Sequence, residues 1–161
     1  MDNLLTTENL SVDFETDQGI VHAVRNISFD VKKGEILGIV GESGSGKSVT
    51  MYSIMGLLGD TAHIHCDSML FDGTDINPAS YPGKKAYSAV MKRLCGSSMA
   101  MIFQDPMASL NERAKIDYIV SEGLQGRGLS KTEISEKVNK ALRAVGLPPE
   151  FATRFPHEFS G

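Results

Sequence analysis

The chain has 161 residues, a formal net charge of −4 and 41% hydrophobic content, enough for one domain with a real core. The acidic balance speaks against a nucleic-acid footprint. The start, Met1-Asp2-Asn3-Leu4, lacks the basic and apolar regions of a signal peptide, and no apolar run reaches membrane-span length.

Leu4 to Phe14 alternates, with Leu10, Val12 and Phe14 on one face and Ser11 and Asp13 on the other, which predicts a half-buried strand. Thr16-Asp17-Gln18-Gly19 is a turn, and Ile20 to Val31 resumes strand character. Lys32-Lys33-Gly34 turns the chain into Glu35-Ile36-Leu37-Gly38-Ile39-Val40, a short apolar run expected as a buried parallel strand. Then comes Gly41-Glu42-Ser43-Gly44-Ser45-Gly46-Lys47-Ser48, which fits the phosphate-loop spacing G-x-x-x-x-G-K-S. Four fixed positions match by chance in about one chain of this length in a few hundred, so context decides. Apolar residues at 51, 54, 55 and 58 predict a helix after the loop. Strand, loop and helix is the context the motif needs. A glycine-rich turn aims successive N–H groups at phosphate oxygens, and the helix start adds the positive end of its dipole. Lys47 would reach the β- and γ-phosphates, and the Ser48 hydroxyl would ligate Mg²⁺.

Further along, Met69-Leu70-Phe71 before Asp72-Gly73 reads as strand and turn. Residues 77–83 are loop, and Lys84 to Leu94 fits a short helix. Met99 to Phe103 is expected as a second buried strand, ended by Pro106. Ile116 to Leu124 suits a helix. Ser130-Lys131-Thr132-Glu133 is a capping box, after which Ile134, Val138, Leu142 and Val145 share one face until Gly146 and Pro148 stop the helix. His63-Ile64-His65-Cys66 resembles a metal clip only in part, because Cys66 points away from the face shared by His63 and His65. The two cysteines, Cys66 and Cys95, have neither metal-like nor disulfide-framework spacing and suit a reducing cytosol.

Three anchors in this order resemble the ATP-binding subunits of ABC transporters, in the oligopeptide, dipeptide and nickel importer group. They are the phosphate loop at 41–48, the run Met101-Ile102-Phe103-Gln104-Asp105-Pro106-Met107-Ala108-Ser109-Leu110-Asn111, similar to the family's Q-loop, and Pro156-His157-Glu158-Phe159-Ser160-Gly161, similar to the lead-in to its signature motif. The resemblance implies an α/β fold: a P-loop NTPase core with an antiparallel β layer and an incomplete α-helical subdomain. It divides the chain into a nucleotide-binding core at 1–105 and a partial helical subdomain at 106–161.

It also assigns roles. Gly41, Glu42, Ser43, Gly44, Ser45, Gly46, Lys47, Ser48 and Val49 would cradle ATP. Gln104, with Ser48, would hold Mg²⁺ and sense the γ-phosphate through its amide oxygen. Phe14 matches the aromatic that stacks on adenine, although its place beside Leu10 and Val12 suits a core residue equally. Ser160 and Gly161 would bind the γ-phosphate held by a second ATP-binding subunit, so that two subunits close on two ATP molecules. The implied partners are that second subunit, membrane permease subunits and, indirectly, a solute-binding protein, with the chain peripheral at the cytoplasmic face of the membrane. The family's Walker B strand, its catalytic Glu and its switch His would follow Gly161. The competing expectation is therefore a truncated, non-catalytic nucleotide-binding remnant. Phe159 stands where Leu is usual in the family, and Asn111-Glu112 where Asn-Pro is common.

Overall fold

A computed structural model describes residues 3–106 and 108–159. These fall into two compact units, Met1–Ala100 and Met101–Gly161.

The first unit is built on a sheet of antiparallel strands centred on the first of them. β1 (Asn3–Thr16) and β2 (Gly19–Lys32) form a long hairpin, from Asn3 opposite Lys32 to Thr16 opposite Gly19. The other edge of β1 is shared by two short strands. β3 (Ala62–His65) pairs with residues 11–14 and β4 (Ser68–Phe71) with residues 5–8. β5 (Thr74–Asp75) extends the sheet from β4 across Asp72-Gly73, both at positive φ (45° and 74°), as a tight two-residue hairpin requires. The alternation seen in the sequence sets the faces. Leu10, Val12 and Met69 are fully buried on the inner face, where the helices α1 (Lys47–Ile54) and α2 (Lys84–Leu94) bring Ile54, Met91 and Leu94 against them. Burial of this kind contributes about 1.5–3 kcal/mol for each large apolar side chain. Gly56 ends the α1 region at φ +65, with its N–H on the Ser53 carbonyl.

The second unit is helical. α3 (Ile116–Ser121) and α4 (Lys131–Ala144) pack with short 3-10 turns at 149–153 and 156–159 around Ile116, Val138 and Leu142. The capping box is formed in full. The Ser130 N–H donates to Glu133 Oε2 at 2.8 Å, and the Glu133 N–H to Ser130 Oγ at 3.3 Å. The Ser130 N–H and hydroxyl, both donating to the Glu133 carboxylate, hold that carboxyl below its usual range.

Three expectations need correction. Residues 35–40 form no strand, and Ile36 and Val40 are each 96% exposed. Residues 99–103 form no strand either. Met99 is buried and bridges Cys95, but Ile102 is 89% exposed. A buried parallel strand needs a hydrogen-bonded neighbour on each side. Among the described residues the five strands pair antiparallel with one another and offer none. Third, Val145 lies one residue past the end of α4 and is 71% exposed rather than on the buried stripe. Among the described residues, no helix is long and apolar enough to cross a membrane.

Candidate functional site

The loop that precedes α1 is shaped by its glycines and its lysine. Gly44 and Gly46 sit at φ +79 and +87, where L side chains are strained. Gly46 has a second reason to lack a side chain: an added Cβ would lie 2.5 Å from the Ala23 carbonyl oxygen. At Gly41 an added Cβ would meet Ser45 Oγ at 2.7 Å. The chain then enters α1, and Thr50 closes the first turn, its N–H and hydroxyl both on the Gly46 carbonyl at 2.9 and 3.0 Å. Lys47 Nζ folds back into the loop and donates to the Gly41 carbonyl at 2.7 Å, the Glu42 carbonyl at 2.6 Å and Ser45 Oγ at 3.2 Å. A lysine ammonium has three donors, and here the loop's own oxygens take them. An arriving phosphate would meet that ammonium at the centre of a ring of backbone groups, beside a helix N-terminus.

The sheet supplies the opposite wall. β2 advances from His22 to Val24 while its β1 partners advance only from Asp13 to Val12, which leaves Ala23 as an extra, bulged residue. That bulge presses the Ala23 carbonyl against Gly46. Ala23 and residues 44–49 line a cavity of about 150 Å³. A larger one, about 530 Å³, runs alongside it and adds His22 and Arg25 from β2 and Ile39 and Val40 from the exposed segment. His22 is held from the neighbouring strand, its Nδ1 2.7 Å from Asp13 Oδ1.

The structure brings Gly41, Gly44, Ser45, Gly46, Lys47, Ser48 and Val49 together around these cavities. Glu42 contributes its carbonyl, and Ser43 is exposed in the same loop. Phe14 is half-buried against the inner core of the first unit and lines neither cavity. Gln104 is exposed in an irregular stretch of the second unit, just before a turn that Asp105 closes by accepting the Ala108 N–H at 3.1 Å. Ser160 and Gly161 lie outside the described residues. Sequence reasoning missed His22, Ala23, Arg25 and Thr50. The first three are brought in by strand pairing and a bulge, neither of which leaves a local signal.

His63, exposed on β3, lies 3.5 Å from Glu15 Oε2. Cys66 is half-buried, and burial raises its thiol above the ordinary range. Among the described residues no group of three or more His, Cys, Asp or Glu side chains could hold a metal ion.

A model of the ABC transporter family matches residues 24–161. The chain is 43% identical to the oligopeptide transport ATP-binding protein OppF of Streptococcus pyogenes serotype M1, over 99% of this chain and 49% of the relative. It is equally identical to OppF of Bacillus subtilis (strain 168), over 99% and 50%. The dipeptide transport ATP-binding protein DppD of Lactococcus lactis subsp. cremoris is 37% identical over 99% and 45%. The chain thus spans about half the length of the curated relatives it matches. A solved dimeric bacterial ABC transporter cassette, MJ0796, superposes with a TM-score of 0.76 at 21% identity, over 98% of this chain and 63% of that one, which speaks for the fold. The phosphate loop, the sheet packed against it and the match over residues 24–161 agree: the chain belongs to the ABC transporter family.

Proposed function

We propose that this chain is the nucleotide-binding part of the ATP-binding subunit of a peptide importer, which uses ATP binding and hydrolysis to energise transport. The observation that carries the reading is the loop at 41–48, closed around the Lys47 ammonium at the start of α1. It offers the fixed backbone donors and the single positive charge that a phosphate chain needs. Residues 41–49 would hold the phosphates. The Ser48 hydroxyl, exposed on the first turn of α1, suits Mg²⁺ as a hard oxygen donor, and the Gln104 amide oxygen would be its second protein ligand. Bound Mg²⁺ would neutralise charge on the phosphates during transfer. Phe14 would stack on the base, and Ser160 and Gly161 would act on nucleotide held by a second subunit.

In this reading residues 1–105 form the nucleotide-binding core and residues 106–161 part of the helical subdomain that meets the permease. The names of the oligopeptide and dipeptide relatives support peptides as the cargo. The subunit would work as a pair at the cytoplasmic face of the membrane, attached through permease subunits.

Calorimetric titration with Mg-ATP tests the reading. The 161-residue chain binds, and Lys47→Ala binds at least about 30-fold more weakly, the scale of losing a charge-assisted contact to phosphate. An unchanged affinity in Lys47→Ala would sink the assignment.

A further inference from the structure

We infer that the exposed face of α2 is a docking surface for anionic lipid headgroups. The inference rests on the reading above only in taking the chain to work at a membrane face. From Ile76 to Gln104 the chain carries Lys84, Lys85, Lys92 and Arg93 and no acidic residue, although its net charge as a whole is −4. All four basic residues fall on α2 (Lys84–Leu94), so positive charge is segregated onto one short helix. Met91 and Leu94 turn one side of that helix into the core, with Tyr87 and Val90 packed beside them. At about 100° per residue, Lys85 and Lys92 then project directly away from the core, and Arg93 stands at their shoulder. All three are exposed.

A solvated helix face ordinarily mixes its charges, as α4 does with Lys131, Glu133, Glu136, Lys137 and Lys140. α2 has no acidic residue and no side-chain N-cap, and Lys84 and Lys85 stand in its first turn, where the helix dipole disfavours cations. Asp60, 2.6 Å from Lys84, offsets one of them. Lys85, Lys92 and Arg93 form no ion pair among the described residues. An anionic partner meets three uncompensated cations at once. The form of the face selects lipid. Ser88 and Ala89, exposed between the cations, are small and offer neither an apolar anchor for a peptide nor a ring on which a base could stack. Two of the three cations are lysines, compact point charges that impose no orientation, which suits mobile headgroups. Because the apolar side of α2 is buried in the core, the helix rests on the headgroups without inserting. Each basic residue beside an anionic leaflet strengthens binding about fivefold, so three give about a hundredfold. Binding of that strength orients a subunit held by other contacts and does not anchor a free one.

Co-sedimentation of the 161-residue chain with lipid vesicles tests this. The chain should bind vesicles of about one-third phosphatidylglycerol in phosphatidylcholine, ignore pure phosphatidylcholine, and be released as salt is raised. Lys85→Gln, Lys92→Gln and Arg93→Gln should each weaken binding about fivefold, and the triple variant about a hundredfold. The same loss of charge on α4, in Lys131→Gln/Lys137→Gln/Lys140→Gln, should change binding less than about twofold, since it leaves the α2 face intact. All these variants should bind Mg-ATP as the wild type does. A wild-type chain indifferent to phosphatidylglycerol, or an α4 variant that loses as much as the α2 triple variant, would overturn the inference. So would a chain that takes up an RNA oligonucleotide through Lys85, Lys92 and Arg93 in preference to the vesicles. Each of these outcomes is separate from the nucleotide reading, which stands or falls with the response of Mg-ATP affinity to Lys47→Ala.

Discussion

The phosphate loop at 41–48 and the apolar segment just before it, at 35–40, are neighbours in sequence and opposites in structure. The loop is closed by bonds between residues no more than 6 positions apart: Lys47 to the Gly41 and Glu42 carbonyls, Thr50 to the Gly46 carbonyl. The segment has apolar side chains of strand character, yet Ile36 and Val40 stand 96% exposed because no described strand pairs with it. Structure encoded by local hydrogen bonds and glycine backbone forms from the residues themselves. Structure encoded by apolar composition alone waits for a partner.

The comparison can be broken hardest at Gly46. Gly46→Ala forces a Cβ to 2.5 Å from the Ala23 carbonyl and an L residue to φ +87. It should cost about 2–4 kcal/mol of stability in urea unfolding and abolish nucleotide binding. A variant that melts and binds normally would show that the sheet wall does not constrain the loop. Hydrolysis sharpens the same point. Among the described residues, no carboxylate lines either cavity beside the loop. The 161-residue chain should therefore bind ATP but show no phosphate release above a Lys47→Ala control; measurable turnover would mean that a base reaches the site from elsewhere.

In the second unit, Ser130→Ala removes a purely local device and should lower stability by about 1 kcal/mol, read from the denaturant midpoint. Glu133 in that box has its pKa lowered by the Ser130 bonds, so its contribution is present above the ordinary carboxylate range and fades as pH falls through it. The effect of Ser130→Ala should shrink at acid pH. At the small end, Ile36→Lys should change stability by less than about 0.5 kcal/mol, since the side chain has no contact to lose. A large destabilisation there would mean that the segment is packed in solution.

Tyr87 sits between the two cases. Its hydroxyl is buried with no hydrogen-bond partner among the described residues, and burial pushes its pKa up to about 12. The unfolded chain ionises first, near the ordinary tyrosine value, so stability should fall as pH rises from there towards the folded value. Tyr87→Phe should flatten that fall at little cost at neutral pH.

The same contrast explains what was legible in the sequence. The β1–β2 hairpin, the Asp72-Gly73 turn, α2 and the Ser130–Glu133 box were readable because alternation, turn chemistry and caps act over a few residues. The phosphate loop was readable for the same reason. The fate of 35–40 and 99–103 was not, because an apolar run carries no information on whether its neighbours are present. Nor were His22, Ala23 and Arg25, which reach the loop through a register shift between strands. Phe14 was legible as far as its alternation goes: it packs, half-buried, against the core that holds Leu10 and Val12.

The central claim is that the loop at 41–48 holds nucleotide phosphates by itself. Thermal melting of the 161-residue chain with and without Mg-ATP tests it most directly. We expect a cooperative transition that moves to higher temperature as Mg-ATP is added, and an Lys47→Ala variant whose transition does not move. A wild-type transition indifferent to Mg-ATP, or one that shifts equally in Lys47→Ala, would contradict the account.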